Sequence, residues 1–220
     1  MRLPGVGGWS EDPLWAPVYD WSVEHRRLGG LAWALAIQSD LTRLYDAAAE
    51  IGTLPAGARV LDVPCGGGVA LRGLRPGQGV EYVAADIAQA MLARTMEAAQ
   101  QRGVADQVVP RIADVHDLPF EDASFDLVVS FTGLHCFPDP ARAVVEMVRV
   151  LRPGGVFSGS AILNDTGLLH EPLRRMGRLS GLMGPGCTGH QVVSWLLGQG
   201  VREPELVRSG AMGYFRGVKA

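Results

Sequence analysis

Three times between residues 58 and 114 the chain makes a short apolar run, closes it on an aspartate and turns into a loop. The runs are Ala58 to Val63, which carries Asp62, Val80 to Ala85 before Asp86, and Gln107 to Ala113 before Asp114. Short apolar runs of this kind read as strands. After the second, Ala88, Met91, Leu92, Thr95, Met96 and Ala99 recur at helical spacing, so a helix separates the second strand from the third. A mostly parallel sheet with right-handed crossovers accommodates this alternation. Its ligands bind beyond the carboxyl ends of the strands, where all three aspartates are expected.

The pattern continues in both directions. Phe125 to Phe131 reads as a fourth strand, and Asp139-Pro140 starts a helix whose apolar face is Ala141, Val144, Val145, Val148 and Leu151. Pro153-Gly154-Gly155 is expected to end that helix, and Val156 to Ile162 to form a fifth strand. Upstream, the spacing predicts one long helix from Leu28 to Ile51, with Leu31, Leu35, Leu41, Leu44, Tyr45 and Ala48 along one face. Downstream come a basic, apolar helical stretch from Leu168 to Met183, a glycine-rich turn and a helix around Val192, Trp195 and Leu196. Two last runs, Val201 to Arg208 and Ala211 to Val218, flank Ser209-Gly210 as a hairpin, with Pro204 suiting an edge strand.

Composition narrows the function classes. The 220 residues carry 20 Lys plus Arg against 23 Asp plus Glu, a net charge of -3 without a basic block, which argues against a grip on nucleic-acid phosphates. The most apolar stretch, Leu31 to Ile37, is far short of a bilayer span, and the proline- and glycine-rich start lacks a basic then apolar leader, so a cytoplasmic protein without stable membrane insertion is expected. Cys65, Cys136 and Cys187 make no C-x-x-C pair, and the five histidines have no metal-ligand spacing, so no metal site is expected. The pattern carries no signal for an oligomeric state.

The chemistry concentrates at Gly66-Gly67-Gly68, which follows the first strand and lets the backbone approach a ligand closely. Twenty residues beyond Gly66 stands Asp86, placed to accept hydrogen bonds from both hydroxyls of a ribose. This pairing suits any adenosine cofactor. A dinucleotide fingerprint, however, asks for a small residue where Leu71 stands, which disfavours NAD.

The string Val60-Leu61-Asp62-Val63-Pro64-Cys65-Gly66-Gly67-Gly68 resembles the first motif of class I S-adenosylmethionine-dependent methyltransferases. Ala85-Asp86-Ile87 with Met91-Leu92 is similar to that family's ribose-binding strand end and next helix. Ala113-Asp114 with Asp117 to Phe120 and Ser124-Phe125-Asp126 is similar to its adenine-binding stretch. Leu134-His135 with Asp139-Pro140, and Val150 to Gly155, resemble its fourth strand loop and helix terminator. The resemblance is to the ubiquinone/menaquinone-type branch and covers Ala58 to Ile162, about half of the chain.

The resemblance implies an α/β fold, a Rossmann-like, doubly wound, mostly parallel seven-stranded sheet with a C-terminal antiparallel hairpin. On that reading residues 1–54 form an N-terminal helical lid and residues 55–220 the cofactor-binding core, with a small cap at 163–187. The cofactor is S-adenosyl-L-methionine, and the partner a small-molecule acceptor. Asp62 would anchor the glycine loop and the ligand's ammonium, and Gly66 and Gly68 would let the backbone touch the methionine part. Asp86 would hold the ribose, while Asp114 and the Val115 N–H would read the adenine edge. Cys65, Ile87, Met91, Phe131 and Tyr19 would complete the cofactor's surroundings. Pro64 stands where the family has its first glycine, which implies an altered loop geometry with cofactor binding retained.

Methyl transfer is an in-line displacement from an activated cofactor, so alignment does most of the work and a catalytic side chain is optional. Where a base is needed, His135 in the loop after the fourth strand is the candidate, with His170 and His190 in reserve. Trp9, Trp15, Trp21 and Trp33 either pack N-terminal helices or line a lid over a flat acceptor. An NAD-dependent oxidoreductase, a non-catalytic cofactor-binding protein and a nucleic-acid methyltransferase are the rival readings.

Overall fold

The computed structural model describes residues 26–220. Seven strands form one sheet: β1 (Arg59–Asp62), β2 (Glu81–Asp86), β3 (Val108–Ile112), β4 (Phe125–Phe131), β5 (Leu151–Ile162), β6 (Val201–Ser209) and β7 (Met212–Lys219). Their order is β3-β2-β1-β4-β5-β7-β6, with β1 to β5 parallel and β7 antiparallel to both neighbours. The Rossmann-like sheet with its antiparallel end is therefore as expected. From β1 the chain winds outward to β3, then returns to β4 on the other side of β1, which creates the crevice where such sheets bind ligands.

Both edges show how proline is managed. Pro110 lies in β3 and Pro204 in β6, where the register against β7 slips between Arg202 and Glu205, so neither removes a donor from a central ladder. Central strands alternate between two cores. Val60 and Val129 face one with Leu44, Ile51 and Leu71, while Leu61 and Val128 face the other with Val144, Met147 and Val192.

The helices are α1 (Arg26–Ala36), α2 (Thr42–Ala49), α3 (Gln89–Gln101), α4 (Pro140–Val150), α5 (Glu171–Leu179) and α6 (Gly189–Gly198). Asp139 caps α4 by accepting from the Arg142 N–H at 3.0 Å, with Pro140 in the first turn. α4 ends at Val150 and not at Pro153-Gly154-Gly155, which belong to the irregular start of β5. The long helix expected from Leu28 to Ile51 is two helices. The turn between β6 and β7 docks into the break: Ala211 N–H donates to Ile37 O at 2.8 Å, Asp40 N–H donates to Ser209 Oγ at 3.0 Å, and Gln38 takes a φ of 54°. A Cβ on Gly210 would collide with the carbonyls of Ile37 and Gln38, so that approach requires glycine.

The segment after the glycine loop is a 3-10 turn, Val69–Gly73. Gly73 packs against the Ala48 carbonyl of α2 with no room for a Cβ. No helix among the described residues is long and apolar enough to cross a membrane.

Candidate functional site

A cavity of about 620 Å³ opens beyond the carboxyl ends of the parallel strands. That is within the usual range of small-molecule sites, about 300 to 1,000 Å³. Val63 to Gly67 supply its floor from the end of β1, Asp86 and Ile87 from β2, Ala113 to His116 from the segment after β3, and Phe131 to Pro138, apart from Gly133 and Leu134, from the loop after β4. α1 closes one side with Trp33, together with Ile37 just beyond its end, and α5 another with Leu173.

Of the residues expected at the site, Pro64, Cys65, Gly66, Asp86, Ile87, Met91, Asp114, Val115, Phe131 and His135 all border this cavity. Two do not. Asp62 is buried beneath the loop, where its Oδ2 accepts from the Tyr82 hydroxyl at 2.6 Å. Gly68 is a turn residue, with φ 86° and its Cα facing Leu71, Thr95 and Ala98. Tyr19, like Trp9, Trp15 and Trp21, lies outside the described residues.

The glycine loop is held by the second strand. Gly66 N–H donates to Asp86 Oδ2 at 3.1 Å, and Ala88 N–H donates to Oδ1 at 2.9 Å, leaving a second lone pair on each oxygen for a ligand hydroxyl. Gly66 adopts φ 51°, and a Cβ there would meet nothing within 4 Å, so the peptide borders open space that a ligand can approach closely. The Val63–Pro64 peptide is cis, and Cys65 N–H donates to Ala85 O at 2.9 Å, which ties the loop to the end of β2.

Burial sets the charge state of these groups. It raises the Asp86 carboxyl above the ordinary range, against the lowering effect of its backbone donors, and pushes Asp62 up to about 7 despite the Tyr82 hydrogen bond. Asp114 is shifted the other way, because the His116 N–H donates to its Oδ1 at 2.9 Å, with His116 Nδ1 at 2.7 Å from the same oxygen. The segment carrying Asp114 is anchored by α4: Glu146 Oε2 accepts from Leu118 N–H at 3.0 Å, and Arg149 donates to the carbonyls of Leu118 and Phe120.

His135 borders the cavity but is nearly enclosed, and burial pulls its imidazole down to about 4. Its Nδ1 accepts from the Ile162 N–H at 3.2 Å. His170 is elsewhere, buried in the cap with Nδ1 at 3.1 Å from the Thr166 carbonyl. Motif reasoning missed His116, Phe137, Ile162 and Met212 as wall residues. His116 had a signal: an aspartate two residues before it readily accepts from its N–H.

Apolar walls and a glycine loop bound this crevice, and two carboxylates, Asp86 and Asp114, and two imidazoles, His116 and His135, are among its ionisable side chains. No Lys or Arg is among its described lining residues, so the pyrophosphate of a dinucleotide would find carboxylates and no cation. A ligand with a sulfonium and an ammonium meets the complementary field.

Comparison with known proteins agrees. Residues 61–158 match the family model described as Methyltransferase domain, within the stretch over which the sequence resembles S-adenosylmethionine-dependent methyltransferases. The chain is 36% identical over 119 residues to 27-O-demethylrifamycin SV methyltransferase of Amycolatopsis mediterranei, covering 54% of this chain and 44% of that protein. It is 40% identical over 101 residues to demethylmenaquinone methyltransferase of Clavibacter sepedonicus, covering 46% of this chain and 39% of that one. The matches thus span less than half the length of these two relatives. The fold is similar to that of a phosphoethanolamine N-methyltransferase from Haemonchus contortus solved with S-adenosyl-L-methionine, with a TM-score of 0.70 at 18% identity over 93% of this chain and 56% of that one.

Proposed function

We propose that the chain transfers the methyl group of S-adenosyl-L-methionine to a small apolar or aromatic acceptor. When bound, the cofactor supplies a methyl group already activated on a sulfonium. Asp86 accepts from the ribose hydroxyls, Asp114 and the Val115 N–H read the adenine edge, and the open peptide at Gly66 lies along the methionine part. Asp62 holds the strand end from below through Tyr82, a structural part in place of direct contact with the ammonium. Trp33, Ile37, Phe137, Leu173 and Met212 leave the remaining space apolar, which favours an acceptor with a greasy body. As a domain assignment, residues 26–54 serve as the described part of a lid, since α1 walls the cavity, and 163–187 serve as a cap through Leu173 and Gly181.

The observation that carries this reading is the pair of carboxylates at the ends of β2 and β3 around one cavity that also holds the glycine loop. Calorimetric titration with S-adenosylhomocysteine tests it. The wild type should bind, NADH should not compete, and Asp86→Asn should bind about 10- to 100-fold more weakly, the equivalent of one charge-assisted hydrogen bond of roughly 1.5 to 3 kcal/mol. Equal affinities for the two proteins would remove Asp86 from the ribose.

A further inference from the structure

The imidazole of His135 is oriented by the fold in a way that fixes what it can offer a ligand. Its Nδ1 accepts from the backbone N–H of Ile162 at 3.2 Å, so in the neutral ring the proton sits on Nε2. Nε2 has no hydrogen-bond partner among the described residues. His135 is 7% exposed and borders the cavity. What faces the ligand is therefore an N–H and not a lone pair. Burial holds the ring neutral, which makes it a weak base as well as a wrongly turned one.

Nothing else on the described wall replaces it as a base. The other titratable side chains there are Cys65, Asp86, Asp114, His116 and Cys136. In the reading above Asp86 and Asp114 are given over to the ribose and the adenine edge, and His116 is held between Asp114 and the Asp139 carbonyl. Burial pushes the Cys65 thiol up, and Cys136 directs its Sγ to the Thr132 carbonyl. Of the elements that wall the same cavity, α5 carries Arg174, whose guanidinium is committed to Leu163, Thr166, Gly167 and Glu171. β5 and β7 contribute the apolar Ile162 and Met212, and α1 contributes Trp33, with Ile37 just beyond it.

We infer that the acceptor enters as an anion, a phenolate-like or enolate-like oxygen that ionises in water, and that His135 holds this oxygen through its Nε2–H. This rests on the cavity being the cofactor and acceptor site. The acceptor has already given its proton to solvent. Its oxygen lone pair then forms the new bond to the methyl carbon as the carbon–sulfur bond breaks and that electron pair returns to sulfur. Anion and sulfonium neutralise each other in the step, and no base is required. An acceptor oxygen acidic enough to ionise near neutral pH, carried on an apolar body, is the substrate class this selects. His135 is then a positioning and specificity residue, not the general base its place after β4 suggests.

The test uses para-nitrophenol, whose phenolate absorbs separately from the phenol, in the presence of saturating sinefungin, a cationic cofactor analogue. The bound phenol should ionise at lower pH than the free one. In His135→Phe the phenolate should bind about tenfold more weakly with sinefungin affinity unchanged, while His135→Gln, which keeps an N–H, should recover part of the loss. Nitrogen NMR of the imidazole should show the neutral ring protonated on Nε2 across about pH 5 to 8. The inference fails if the phenol binds only protonated or not at all, if His135→Phe keeps full phenolate affinity, or if His135 titrates in that range. Failure to bind sinefungin would instead refute the cofactor site, and the inference with it.

Discussion

At the scale of single residues, Asp62 shows a motif position whose partner in the fold the motif does not announce. The side chain closes β1 as expected, yet it is 1% exposed and faces Tyr82 from the neighbouring strand. Tyr82 pairs with Val60, so it stands on the same face as Asp62 two positions along, a juxtaposition set by the parallel register and invisible in either run alone. A carboxyl raised from 3.8 to about 7 binds its proton more tightly folded than unfolded, so its ionisation opposes folding. The cost is absent below about pH 4, grows as pH rises to about 7 and is constant above, with an upper bound of about 4 kcal/mol. Asp62→Asn, which still accepts from Tyr82, should therefore match the wild type in acid and exceed it at about pH 8 by up to this amount. Urea unfolding at the two pH values checks this, and a difference independent of pH would contradict it.

At the scale of elements, the strand ends were legible because short valine-rich runs stop at aspartates, and the start of α4 because Asp139-Pro140 is a strong local signal. The break between α1 and α2 was not legible, since the apolar spacing continues through it. Its cause is tertiary, the docking of the β6–β7 turn onto Ile37 and Asp40. Likewise nothing local places Asp114: its segment is clamped from α4 by Glu146, which is 7% exposed, and by Arg149, which also pairs with Asp122 at 2.7 Å. Removing the guanidinium would leave Glu146 largely buried with a weak partner, since Arg142 approaches only to 3.9 Å. Arg149→Leu should cost roughly 1 to 3 kcal/mol in thermal unfolding, less than a fully buried pair because Arg149 is partly solvated. It should also weaken S-adenosylhomocysteine binding through the loosened Asp114 segment. An unchanged ligand affinity would separate that clamp from the site.

At the scale of the whole molecule, one asymmetry organises the function. Strands β1 to β5 deliver their carboxyl ends to a single rim, and the acidic groups gathered there meet no Lys or Arg among the described lining residues. α1 and α5, which precede and follow the parallel strands in sequence, wall the same space with apolar side chains, so one cavity has two characters. The most direct measurement of this arrangement is a crystal structure with S-adenosylhomocysteine. Both ribose hydroxyls should lie on Asp86, the adenine edge should meet Asp114 and Val115, and the sulfur should point toward the pocket bordered by His135. A nucleoside bound anywhere else on the molecule, or turned end for end within this cavity, would contradict the account.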